Sequence, residues 1–460
     1  MKYPIPPRLL AALFVATFLS SAFADNAKLL RKTGSISMIR NGTTVELNVG
    51  DEIPEGSRII TGPGSEAYIQ TIAGTVSTLK ADTEVVIDSV QQAKPGSKAS
   101  ALLDLKHGSL ISTLDPLKRD VNDYRVKTTQ GVAAARGTSF TVSDESTGFS
   151  ITSTADSVRF VSPSGSMTIN AGMVSFTPAG ATQPLPPQPI STAIAGNPVI
   201  AQIVQAAVST VATVIQNNLG NLSAASATNL ATQVVSVAAS AQPTQAASYA
   251  SQMVHAVTAS TSSTTSSSTL TAATVAAAAA QAAPQEAAAI TTQVTRIVSE
   301  SVSSGDSSTA VATVAAAVAH AAPEQAGAVA AAASAASPTS TGAVTSAVAQ
   351  STGNTTESIA QAVSQTTGTS VSEIQNQASE ASSQGANAST AAAQANQSAT
   401  QATEAITTPP QASSTPSTST PNEQSAPPQQ TSSTPTEQTT PSTTPTVDPT
   451  INPVSPAGSR

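Results

Sequence analysis

The sequence predicts an all-β N-terminal domain, as a sandwich, a jelly-roll-like form or a short β-solenoid, followed by Ala-rich α-helical hairpins and a disordered tail. Three observations carry this prediction. Turn signals such as Asn41-Gly42 and Gly62-Pro63-Gly64 separate short runs of β-branched residues through residues 25–180. Proline recurs at Pro243, Pro284 and Pro323 in Ala-rich sequence. The composition also breaks near residue 180: from Ala181 to Arg460 the only basic residues are Arg296 and Arg460, against eleven Asp and Glu, and the only aromatic ring is Tyr249.

Residues 1–24 read as an export signal. Lys2 and Arg8 form a positive n-region, Leu9 to Leu19 a short apolar run, and Ala22-Phe23-Ala24 an A-x-A site, so cleavage is expected after Ala24. The apolar run falls short of the roughly 20 residues a spanning helix needs. No later segment reads as long and apolar enough to cross a membrane, because Gln, Ser, Thr and Pro interrupt the Ala runs. A periplasmic or extracellular protein is expected. The chain has no cysteine, hence neither disulfides nor a lipid-modified cysteine. That suits a bacterial envelope protein better than a disulfide-stapled domain.

The net charge is −8, with 17 basic and 16 acidic residues in the first 180 positions. The head is nearly neutral and the remainder mildly acidic. Neither part carries the basic stripe that a phosphate backbone requires, so no nucleic-acid partner is expected.

Residues 25–180 open with a hairpin signature. Ile36 to Arg40 and Thr43 to Leu47 flank Asn41-Gly42, whose residues accept the positive φ angles of a type I′ turn. Further strands are expected at Glu66 to Ile72, Glu84 to Val90, Leu102 to Leu105, Ser109 to Leu114, Tyr124 to Thr128, Ser139 to Val142, Ser157 to Val161, Met167 to Ile169 and Met173 to Phe176. A segment of about 155 residues suffices for one well-buried domain.

A Pro-rich linker is expected over residues 181–196, and an Ala-rich helical repeat region over 197–405. Asn197 can cap, Pro198 suits the first turn, and Ile200, Ile203, Val204, Ala207, Val208, Val211 and Ile215 recur at helical spacing towards Gly220. The segments around Pro243, Pro284 and Pro323 share an A-x-P-x-[QE]-A form with a period near 40, as in stacked helical hairpins. Buried alanine removes little apolar area from water, so marginal packing is expected. The Ser/Thr run Thr258 to Thr269 should interrupt the stack. Residues 406–460, mostly Thr, Ser, Pro and Gln, cannot offset their ordering entropy and should be disordered.

A search for chemistry returns no catalytic, cofactor-binding or metal-binding set. His107, His255 and His320 lie in different zones without a partner at metal-ligand spacing. Ser77-Thr78-Leu79-Lys80 matches the S-x-x-K pattern, but on a strand Ser77 and Lys80 point to opposite faces. Gly62 to Ala67 imitates a dinucleotide loop but precedes a strand rather than a helix N-terminus. The carboxylates Asp51, Glu52, Glu55, Asp82, Glu84, Asp88 and Asp104 offer no basis for choosing an acid/base pair.

Two runs resemble the FecR-type extracytoplasmic domain. Val49 to Ser65 (VGDEIPEGSRIITGPGS) is similar to that family's G-D-x-I-x-x-G-x-x-I-x-T-G-x-x-S run, and Val126 to Val142 (VKTTQGVAAARGTSFTV) to its T-P-x-A-x-x-x-V-R-G-T-x-F-x-V signature. The resemblance covers about residues 28–178. It implies an all-β module for envelope binding or sensing. Arg136, Gly137 and Thr138 are the candidate binding residues or structural clamp: a guanidinium beside a glycine turn can hold several carbonyls or a carboxylate at once. The resemblance implies a cytoplasmic anti-sigma segment and a membrane helix for sensor members; here a cleavable signal is expected in their place.

The expected function is that of an exported, non-enzymatic protein whose FecR-like domain binds an envelope protein or surface glycan, with the helices as spacer or assembly segment. The alternatives are a soluble periplasmic accessory of iron-linked cell-surface signalling and, least favoured, an enzyme acting on polysaccharide or peptidoglycan.

Overall fold

The computed structural model describes residues 25–181, 183–260, 265–302 and 306–407. The export signal and the tail after Thr407 lie outside the described residues. The strands are, in order, β1 (Ala27–Thr33), β2 (Ile36–Arg40), β3 (Thr43–Glu46), β4 (Glu52–Ile53), β5 (Arg58–Thr61), β6 (Glu66–Gln70), β7 (Thr75–Leu79), β8 (Glu84–Gln91) and β9 (Ala99–Leu114). They continue with β10 (Asn122–Lys127), β11 (Val132–Ala135), β12 (Ser139–Glu145), β13 (Gly148–Ala155), β14 (Val158–Ser162), β15 (Gly165–Ile169), β16 (Met173–Pro178) and β17 (Gln188–Pro189).

These strands build two sheets that share β9. The first sheet runs β4-β1-β6-β7-β9-β12-β13-β16-β17. The second runs β3-β2-β5-β8-β9-β10-β11-β14-β15. Among these pairs only β9 and β10 are parallel. The N-terminal part of β9 lies in the second sheet, and residues 108–114 lie in the first. It bends at Gly108, where φ is +94° and an added Cβ would fall 2.4 Å from Thr83 Oγ1. The sequence reading split this strand in two at His107-Gly108; the glycine bends the strand without breaking it.

Alternate residues of both sheets meet in one core, so the domain is a sandwich. Leu29, Ile69, Leu79, Leu110, Phe140 and Ile151 come from the first sheet, and Ile59, Val85, Leu103, Val126 and Phe160 from the second. At its centre, fully buried Tyr124 of the second sheet shares hydrogen bonds with Ser77 (2.8 Å) and Ser112 (2.9 Å) of the first. Burial pushes this phenol up to about 12, against the smaller opposing effect of the two serines.

The helices are α1 (Ile190–Gly196), α2 (Pro198–Gln216), α3 (Ala224–Ala241), α4 (Ala246–Ser260), α5 (Thr265–Ala282), α6 (Ala287–Ser301), α7 (Ser307–Ala321), α8 (Ala326–Ala336), α9 (Thr341–Thr352), α10 (Thr356–Thr367), α11 (Val371–Glu380) and α12 (Ser382–Thr407). Within the segment expected to be a linker, residues 188–196 instead form β17 and α1, with Ile190 buried. Asn197 caps α2 through its side chain, which accepts from Val199 N at 3.1 Å, and Pro198 occupies the first turn.

The expected hairpins are present. Helices α2, α4, α6, α8 and α10 stack as one layer and α3, α5, α7, α9 and α11 as a second. Pro243, Pro284 and Pro323 each open a 3₁₀ turn at a joint, after a residue held out of the helical region as the proline ring requires. Packing is closer than expected: Ala276 to Ala280 and Ala315 to Ala319 are fully buried. α4 and α5 enter the Ser/Thr run from both sides, and residues 261–264 lie outside the described set. The 26-residue α12 crosses α3, α5, α7 and α9 as a third layer.

Sandwich and helices belong to one compact unit. On the side of the first sheet away from the sandwich core, Tyr68, Val76, Ala155 and Val174 pack with Ile200, Val204, Val208 and Val211 of α2 and Leu230 and Val234 of α3. α2 corrects one sequence expectation: by length and composition it is long and apolar enough to cross a membrane. Half of it is buried in the fold.

Candidate functional site

With the first sheet covered by helices, the free broad face of the sandwich is the outer face of the second sheet. Strand alternation decides what stands on it. In β10 Tyr124 and Val126 point inward, so Asp123, Arg125 and Lys127 point outward; in β11 Ala133 and Ala135 point inward and Val132 and Ala134 outward. In β14 Val158 and Phe160 fill the core and Arg159 and Val161 stand outside.

Register then sets the rows. Arg125, Ala134 and Arg159 are cross-strand partners in one row, and Asp104, Lys127, Val132 and Val161 in the next. Asp104 is buried beneath this face and accepts from Lys106 Nζ and Lys127 Nζ, each at 2.7 Å. Burial alone would raise its carboxyl, but the two ammonium groups together outweigh that and hold it below the ordinary value. Asp88 lies 3.7 Å from Lys127. Arg125 is paired with Asp123 through both Nε (3.1 Å) and Nη2. Arg136 and Arg159 are exposed and have no hydrogen bond or ion pair among the described residues. Val161, on the same face of β14 as Arg159, is 45% exposed.

The three residues singled out by sequence divide. Gly137 has φ +65°, and a Cβ there would lie 3.0 Å from Pro116 Cα and 3.1 Å from Arg119 Cβ. Thr138 is fully buried and its carbonyl accepts from Leu114 N at 2.9 Å. Both are structural. Arg136 is exposed and forms no clamp among the described residues. The clamping arginine is Arg119, which the sequence reading missed: its Nε donates to Pro116 O at 3.4 Å and its Nη2 lies 3.2 Å from Asp156 Oδ2. Burial raises the Asp156 carboxyl despite the nearby Arg119. Arg159 was missed too; the outward alternation Arg159, Val161 beside Arg125, Lys127 was the available signal.

The remaining sequence candidates stay apart. His107 is exposed and paired with Glu84 across β8 and β9. His255 is exposed on α4, and His320 approaches Ser351 O at 3.1 Å through Nδ1. Ser77 is in the core, whereas Lys80 bonds Glu66 outside it. Gly62 to Ser65 is a turn leading into β6. Among the described residues no group of three or more His, Cys, Asp or Glu is placed to hold a metal ion.

Residues 57–159 match the family model for FecR protein, so the chain carries a FecR domain within the sandwich. No curated protein matches the chain. Two crystal structures of a candidate anti-sigma factor from Parabacteroides distasonis ATCC 8503 are similar to it, at 16% and 17% identity with TM-scores of 0.25 and 0.24. Each likeness covers 29% of this chain and 59% of the other, so the chain spans well under two thirds of those proteins.

Proposed function

We propose that this is an exported, non-enzymatic envelope protein whose FecR domain recognises an envelope protein or surface glycan through the outer face of the second sheet, while the helical stack covers the first. The supporting observation is the asymmetry of the sandwich. One broad face is occupied by α2 and α3, and the other is open and carries exposed Arg159 two residues from exposed Val161, with exposed Arg136 just past the end of β11; neither arginine has a partner among the described residues. A guanidinium free of intramolecular partners keeps its planar donor fork for a carboxylate or carbonyl of another molecule, and an adjacent apolar residue supplies area to desolvate. The exported location rests on residues 1–24.

The test compares the full chain with the double variant Arg136→Glu/Arg159→Glu in affinity capture from a bacterial envelope extract and on an array of envelope glycans. A partner retained by the wild type and weakened at least tenfold by the double variant supports the reading. Capture that ignores both charge reversals sinks it, as does no specific capture.

A further inference from the structure

A second feature lies at the seam between sandwich and helices. A cavity of about 500 Å³ opens there, within the range of about 300–1,000 Å³ typical of small-molecule sites. Its walls come from four places: the turn between β15 and β16, the β17–α1 junction, the last turns of α3, and α12 near its C-terminal end.

The lining fixes the ligand chemistry. It contains no Asp, Glu, Lys, Arg or His. An ionic ligand would lose water there without gaining a counter-charge, which is costly. Its polar side chains are neutral: the Thr403 hydroxyl donates to backbone carbonyls of its own helix, whereas the Asn170 amide and the hydroxyls of Ser191, Ser236 and Ser240 bond no other described residue. Asn170, Ser191 and Ser240 are exposed around the opening and Ser236 is half-buried, so groups that can both donate and accept ring one concavity, as a hydroxylated ligand requires. Met173 and Val237 supply the apolar wall.

We propose that this seam cavity binds a neutral, hydroxyl-rich ligand the size of one or two sugar rings, its hydroxyls held by Asn170, Ser191, Ser236 and Ser240 and its C–H faces against Met173 and Val237. The site goes beyond the arginine-face reading and does not depend on it. Because its walls belong to both halves of the fold, occupancy links the sandwich to the helical stack and favours the docked arrangement by mass action.

The test is isothermal titration of the full-length protein with two neutral disaccharides, chitobiose and maltose, and with anionic digalacturonate. At least one neutral disaccharide is expected to bind, and digalacturonate at least tenfold more weakly or not at all. Asn170→Ala, at an exposed turn, and Ser240→Leu, which fills the mouth from an exposed helix position, should each weaken binding at least tenfold with an unchanged circular-dichroism melt. Arg136→Glu/Arg159→Glu should bind the disaccharide like the wild type, which separates this site from the arginine face. No binding of either neutral disaccharide overturns the proposal. So does binding that both cavity variants leave intact, or equal binding of digalacturonate.

Discussion

Asp104 shows how a single residue shapes the recognition face and the stability beneath it. Its carboxylate is buried yet accepts from two lysines on adjacent strands, and its ionised form is favoured in the fold relative to its ordinary value of 3.8. A carboxylate with a depressed folded pKa contributes stability that is complete above the unfolded value and is lost as pH falls through the folded one. Asp104→Asn should therefore cost about 1–2 kcal/mol at pH 7, the scale of hydrogen bonds to a charged group, reduced because the lysines are half exposed to screening solvent. Urea denaturation of both proteins checks this: the gap should be constant from pH 7 to 5 and shrink as pH falls below the ordinary carboxyl value of 3.8. A gap that acid leaves unchanged would assign the loss to packing instead. Little of this was legible in the sequence, which showed Asp104 among scattered carboxylates. The parallel β9–β10 register that sets Lys127 beside it joins residues 23 apart.

At the scale of elements, legibility followed the strength of local signals. The proline joints announced the hairpins, because proline both stops one helix and opens the next turn. Asn41-Gly42 announced the β2–β3 hairpin, and Asn41 does adopt φ +50°. β13 was passed over because its Ser/Thr-rich run (FSITSTA) is buried on both faces, so polarity does not alternate. α12 read as fraying sequence because its buried stripe is small: Ala388, Ala392, Ala395, Ala399 and Ala402, spaced four and three, among Gln, Ser and Thr. Asn396 secures that stripe by donating to Ala317 O at 2.9 Å. Small residues let α12 sit close to its neighbours, closest at Gly385, where an added Cβ would lie 2.3 Å from Ser346 Oγ and 3.1 Å from Ala347 N. Gly385→Val should cost about 1–3 kcal/mol by overpacking, whereas Gly196→Ala, with open space around it, should be neutral or slightly stabilising. Thermal melts of both variants decide it: a Gly385→Val melt equal to wild type would mean that α12 is not held where it lies.

On the scale of the whole molecule, the decisive surface is the one between the first sheet and α2, and its chemistry is unusual. The sheet contributes Thr78, Thr113, Thr141 and Thr152, and α2 contributes Thr210; all are buried, and none of their hydroxyls has a hydrogen-bond partner among the described residues. Thr141 and Thr152 sit directly opposite each other on β12 and β13. Threonine at alternate positions is the usual dress of a solvated sheet face, so the FecR sandwich keeps a water-compatible face under its helical cover. The cover is held by apolar residues, with the α2 stripe of Ile200, Val204, Val208 and Val211 over Val76 and Val174, and it is opposed by the stranded hydroxyls. Each unpaired buried hydroxyl costs about 1–3 kcal/mol, whereas valine fills nearly the same volume with nothing to desolvate. Thr141→Val/Thr152→Val should therefore raise the midpoint of urea unfolding of the full chain, the reverse of what substitution at a satisfied pair produces. Hydrogen exchange of the β12 and β13 amides should slow in the same variant, because tighter docking suppresses local opening. A lowered midpoint would show that these hydroxyls are satisfied in the folded protein, and the interface would then be permanent rather than poised between cover and release.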